Sequence, residues 1–226
     1  MRTARKKQPI HAMLVTDETD IRYLCGATEG SHSLLFDDNW GVILCHKMFQ
    51  EAIADECHGA EVVVVERADG TSAPPDDVEL GKQVKARKLK HIGYDDGLIS
   101  HARYGTLSSC VGEKKLVSFP GLVVGVRAIK DEEEIAVTRK AVKIAEAAFK
   151  ELTGRGADYF VGKTEKQLAA ELEYLMRGRG ADRQGFPTSG IIVAAGPHGA
   201  SCHHFPTKRK VRRGEAVLFD WGAELD

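Results

Sequence analysis

The chain has 226 residues, enough to bury one large core or two smaller ones. Its 32 Lys and Arg against 33 Asp and Glu leave it almost neutral, which gives no support to a nucleic-acid or membrane partner. The five cysteines, Cys25, Cys45, Cys57, Cys110 and Cys202, are odd in number and contain no C-x-x-C pair, which argues against a disulfide framework or a zinc knuckle and for reduced thiols.

In chain order, the start is basic through Arg2, Arg5, Lys6 and Lys7. The apolar stretch behind it is short and interrupted by His11 and Asp17, unlike a signal peptide or a spanning helix, so a soluble cytoplasmic protein is the expectation. Short apolar runs over 12–15, 33–36, 41–44 and 61–65 predict strands, with a helix over 47–57 between the last two. The unbroken run Val62, Val63, Val64, Val65 is the pattern of a strand covered on both faces. Residues 68–77, rich in Gly, Pro and Asp, read as a loop, followed by a basic helix over about 78–88. A strand start at 91–94 and a helix over 100–109 complete an alternating α/β domain ending near Gly125.

Two clear helices come next. Asp131 with Glu134 forms a capping-box pattern; Ile135, Val142, Ala145, Phe149 and Leu152 supply one apolar stripe, and Gly154 the stop. Thr164 with Gln167 opens the second, whose stripe is Leu168, Leu172 and Leu175, closing at Gly178. Strand-like runs follow at 189–196 and 216–225. The basic stretch 208–215 between them reads as a solvated hairpin or loop turning at Gly214, because no aromatic residue interleaves its charges.

Each strand-like run ends at a residue able to do chemistry. Asp220 follows Val217, Leu218 and Phe219, and a carboxylate set among buried strand residues costs several kcal/mol unless it is paired or bound to a cation. It is therefore a candidate metal ligand, the alternative being a turn cap or a partner for a nearby arginine. Among nine histidines, His198, His203 and His204 cluster on a loop held by Gly196 and Pro206, the setting in which catalytic groups sit. Each is otherwise a satisfied loop histidine. Cys202 beside His203 invites a nucleophile reading, but adjacent residues on an extended segment point to opposite sides.

Residues 127–226 resemble the pita-bread metallopeptidases, in the branch of Xaa-Pro aminopeptidases and prolidases that carries a creatinase-like N-terminal domain. The matching positions are Arg127 to Ile135 leading into Arg139, Lys140 and Ala141; then Ile192, Val193, Gly196, His203 seven residues on, and Pro206; and finally Gly214 to Glu224. Leu14 to Asp17 and Asp20 to Gly26 look like the opening of the family's N-terminal domain. The resemblance implies a creatinase-like α/β domain over 1–126 and the first part of a pita-bread (α+β) catalytic domain over 127–226, incomplete at Asp226.

It further implies that Asp220 is the first aspartate of a dinuclear centre, most commonly manganese, with cobalt or zinc as alternatives. His203 falls on a histidine that binds no metal but positions substrate and stabilises developing charge. The implied reaction is cleavage ahead of proline in an Xaa-Pro dipeptide or at a peptide N-terminus, by an enzyme expected to be a homodimer. The family's second aspartate, ligating histidine and two glutamates all fall past Asp226, so the chain reads as an N-terminal piece, inactive by itself. Two departures stand out: Cys45, His46, Lys47, Met48 and Phe49 replace an Asp-x-Arg-Tyr run, and Trp221 is bulkier than usual after the aspartate. The alternatives are a creatinase-type amidinohydrolase, which needs no metal and no aspartate at position 220, and a catalytically dead homologue serving as a protein-binding module.

Overall fold

The computed structural model describes residues 9–27, 33–66, 73–186 and 190–225. The basic start up to Gln8, His32, the first half of the 68–77 loop, Ser189 and Asp226 lie outside the described residues. The chain divides into two compact units, Met1–Ile129 and Lys130–Asp226.

The first unit contains strands β1 (Ala12–Val15), β2 (Ser33–Phe36), β3 (Gly41–His46), β4 (Glu61–Val65), β5 (Ile92–Tyr94) and β6 (Leu116–Ser118). Its helices are α1 (Glu18–Cys25), α2 (Gln50–Glu56), α3 (Pro75–Ala86), α4 (His101–Leu107) and α5 (Leu122–Arg127). The strands form one sheet in the order β4-β3-β2-β1-β5-β6, antiparallel from β1 to β3 and parallel elsewhere. Alternation along the strands sends side chains to two separate cores. Leu14, Leu35, Val42, Leu44 and Ile92 pack with Leu80, Val84 and Leu107 on one face, while Met13, Val15, Leu34, Ile43 and Cys45 pack with Ile21, Ile53 and Val123 on the other. The result is the alternating α/β domain that the sequence predicts, with helices on both faces of one sheet.

Two details differ from expectation, and a third concerns a segment for which no element was predicted. β4 is an edge strand, so its valines touch both cores yet Val62, Val63 and Val64 remain only half-buried. α3 starts at Pro75, because proline suits the first turn of a helix and Asp76 and Asp77 suit its positive end. The segment 17–26 is a helix, capped by the Asp17 side chain accepting from the Asp20 N–H and closed by Gly26 in the left-handed region at φ 84°. Arg127 belongs with this unit: its guanidinium donates to buried Asp20 at 2.6 Å.

The second unit holds α6 (Glu132–Gly154), α7 (Ala157–Phe160), α8 (Glu165–Arg177) and four short strands, β7 (Arg183–Gln184), β8 (Ile192–Ala195), β9 (Val217–Asp220) and β10 (Ala223–Glu224). Both predicted capping boxes are present, Asp131 with Glu134 and Thr164 with Gln167. Leu168, Leu172 and Met176 on α8 are fully buried, each stabilising the core by about 2 kcal/mol. On α6 the stripe centres on Ile144, Ala148 and Leu152; Val142 is 51% exposed, one position off the packed face.

The last predicted strand is broken in two. β9 pairs antiparallel with β8, Ile192 opposite Asp220 and Ala195 opposite Val217, whereas β10 pairs with β7. Trp221 makes the bend. Its indole stacks on Phe149 with centroids 4.1 Å apart and donates to the Ala145 carbonyl at 3.1 Å, anchoring the chain to α6 between the two ladders.

Candidate active site

The link from β8 to β9 carries the histidines. It leaves Ala195 through Gly196, whose φ of 54° places it in the left-handed region; a Cβ there would lie 2.8 Å from a Glu215 carboxylate oxygen and 2.9 Å from an Arg209 nitrogen, so a larger residue would be strained and would push the Arg209–Glu215 pair aside. A single 3-10 turn, Gly196–Ala200, follows, and from Ser201 to Pro206 the backbone follows no regular element. The basic stretch beyond is a loop, as expected, but a tethered one. Arg209 and Val211 accept through their carbonyls from the Glu165 and Gly162 N–H groups, and the Arg209 guanidinium grips Glu215 at 2.9 Å. Those Arg209 hydrogen bonds, against a smaller effect of burial, pull the Glu215 pKa down to about 2.

The centre of the loop is a residue that sequence reasoning missed. Glu165, the first residue of α8, is fully buried and accepts five hydrogen bonds. One oxygen takes the Ala195 N–H at 2.9 Å and His198 Nδ1 at 2.8 Å. The other takes His204 Nε2 at 2.9 Å and both the N–H and the hydroxyl of Thr207, at 2.9 and 2.7 Å. Burial pushes this carboxyl up, but the donors from Ala195, Thr207 and His204 outweigh it and hold Glu165 well below the usual carboxylate range. In sequence it looks like an ordinary first-turn acid favoured by the helix dipole; the only signal to the contrary is that it follows the cap residue of a box already complete without it.

His198 and His204, noticed in the sequence as part of one cluster, are brought together with ring centroids 4.4 Å apart. With Glu165 they form a group whose donor atoms lie within 4.8 Å of one another, close enough to hold a metal ion. His203 and Cys202 stay outside that group, both exposed.

Asp220 is placed differently from the premise that singled it out. Along β9 exposure alternates, with Val217 and Phe219 turned to the core and Leu218 and Asp220 exposed. A two-stranded ladder covered on one face obeys the period of two, and Asp220 falls on the open side. The burial cost inferred from its apolar neighbours therefore does not arise in this chain. The loop of His203 leaves the ladder opposite Val217, whereas Asp220 pairs at its other end, three residues or roughly 10 Å along the strand. Asp220 is also outside the trio of possible ligands found among the described residues. One exposed carboxylate does not fit two divalent ions, which need several oxygen donors to replace their water.

Two family models tile the chain: the creatinase/prolidase N-terminal domain matches residues 1–129, and metallopeptidase family M24 matches residues 136–226. The chain belongs to the M24 metallopeptidases that carry a creatinase/prolidase N-terminal domain. M24 is a family of dinuclear metal enzymes. An uncharacterized peptidase of Bacillus subtilis, YqhT, is 26% identical over 95% of this chain and 57% of its own length. Among solved structures, an Xaa-Pro dipeptidase from Bacillus anthracis superposes with a TM-score of 0.80 at 26% identity, over 95% of this chain and 56% of that one. An X-Pro aminopeptidase from Thermotoga maritima superposes with a TM-score of 0.79 at 29% identity, over 95% and 59%. The fold is thus that of the creatinase-like domain followed by part of a pita-bread domain, and the chain spans less than two thirds of these relatives' length.

Proposed function

We propose that the whole protein is a metal-dependent exopeptidase that cleaves the bond between an N-terminal residue and proline, as an aminopeptidase or as a dipeptidase. Its creatinase-like domain would run to Ile129, three residues past the boundary expected at 126, and the first part of its catalytic domain would begin at Lys130. The observation that carries the reading is the co-linear match of both halves to M24 relatives, with solved Xaa-Pro peptidases following the fold over nearly all of this chain.

In this proposal Asp220 is a metal ligand that becomes competent only beside donors supplied from further along the protein. Divalent ions so held, manganese foremost, would supply a polarised carbonyl and a water of lowered pKa. His203 is the catalytic residue that binds substrate without binding metal. Its exposed imidazole can donate an N–H to the carbonyl oxygen as negative charge develops there, which is worth most once water is excluded. The protein works in the cytoplasm, as a homodimer, on peptides with proline in second position. Among the described residues no helix is long and apolar enough to cross a membrane.

The test is hydrolysis of Xaa-Pro dipeptides and longer Xaa-Pro peptides by the intact protein, with and without manganese. Manganese-dependent release of the residue ahead of proline supports the proposal; hydrolysis that survives thorough chelation overturns the metal dependence, and no release of that residue at any metal concentration overturns the peptidase reading.

A further inference from the structure

We propose that Glu165 is the positioning residue for His203, a buried carboxylate that fixes the shape of the loop presenting that imidazole. This rests on the reading of His203 as the group that meets substrate. The loop has little regular structure of its own, yet Glu165 holds it at Ala195, His198, His204 and Thr207, on both sides of His203 and directly beside it. Leaving a buried charge without partners is costly, so any rearrangement of the loop that gave up these donors would strand the carboxylate. Arg209, close enough to feel the Glu165 charge, is engaged with Glu215, which leaves the loop donors and the α8 N-terminus to stabilise that charge.

The same hydrogen bonds decide between a clamp and a metal site. An ionised carboxylate only accepts, so His198 Nδ1 and His204 Nε2 must each carry the proton that points at Glu165. A cation would need those positions as lone pairs, and would have to share the carboxylate with Ala195 and Thr207 donors that already occupy it. The trio is close enough for a metal ion, but the tautomers these hydrogen bonds require suit a clamp.

Nitrogen-15 spectra of the imidazoles in the 226-residue chain test this without any need for activity. The Nδ1-H tautomer at His198 and the Nε2-H tautomer at His204 are expected, unmoved by one equivalent of zinc. Zinc that shifts both rings stoichiometrically, or the opposite tautomers, overturns the proposal. In Glu165→Gln the amides of Ala195 and Thr207 should exchange at least about tenfold faster; unchanged protection overturns it.

Should Glu165→Gln fail to fold, Thr207→Val removes one donor and should speed exchange at residue 204 and at the Ala195 amide by a smaller factor. In the intact protein, Glu165→Gln should lower kcat by about ten- to a hundredfold with KM and metal content little changed, as misplacement of a catalytic group predicts, and Glu165→Asp should recover part of it. A variant with normal kcat overturns the positioning role, whereas an inactive wild type with the expected tautomers and exchange overturns only the peptidase reading.

Discussion

Glu165 and Thr207 are joined twice through one carboxylate oxygen, which accepts from the Thr207 N–H at 2.9 Å and from its hydroxyl at 2.7 Å. These two residues tie the first turn of α8 to the far end of the histidine loop. A hydrogen bond to a buried charge contributes about 1.5–3 kcal/mol, so Thr207→Val should destabilise the second unit by roughly that amount in urea unfolding. Thr207→Ser, which keeps both donors, should cost much less.

Glu165 also makes stability depend on pH. Its folded pKa is depressed, so its contribution is fully present above the unfolded value, about 4.3, and is lost as pH falls below that value. Glu215, held at about 2 by Arg209, acts in the same direction. Unfolding midpoints measured between pH 6 and pH 3 should therefore fall, and Glu165→Gln should flatten the fall while starting from a lower midpoint. A midpoint that rises on acidification would contradict the hydrogen-bond assignment.

Gly196 should resist substitution. An alanine Cβ would press on the Glu215 and Arg209 side chains while holding a left-handed φ, so Gly196→Ala should cost about 1–3 kcal/mol by thermal or urea unfolding. An exposed left-handed glycine with open space around it, such as Gly162, should lose less on the same change.

The thiols should separate by reactivity. Burial, reinforced by the neighbouring Cys25, pushes the Cys57 thiol up to about 12, and burial also raises Cys45 and Cys110. Cys202 is exposed. Alkylation of the native chain at pH 8 should thus show one fast thiol, and Cys202→Ser should remove the fast phase.

The parts of this fold governed by local rules were legible in the sequence. Asp131 with Glu134 and Thr164 with Gln167 announce their helices because a capping box needs only neighbours in the chain, and the Leu168, Leu172, Leu175 stripe follows from helical period alone. What escaped depends on distant partners. The strand predicted over 216–225 breaks because Trp221 finds Phe149 and the Ala145 carbonyl, more than seventy residues away in sequence. Val142 looked like core because nothing local says which flank of the α6 stripe meets α8. The histidine cluster was visible from spacing, but Glu165, which organises it, was not, since a first-turn glutamate has an adequate local explanation. Asp220 was picked out by a burial that the one-sided ladder does not give it, and its candidacy now rests on the family match alone.

The central claim is that Asp220 helps to hold catalytic metal in a proline-directed peptidase, and one measurement addresses it most directly: metal content and Xaa-Pro hydrolysis of the intact protein, compared with Asp220→Ala and His203→Ala. Asp220→Ala should lose bound metal and hydrolysis together, whereas His203→Ala should keep its metal and lose turnover by about a hundredfold or more. Full metal occupancy and undiminished hydrolysis in Asp220→Ala would contradict the account.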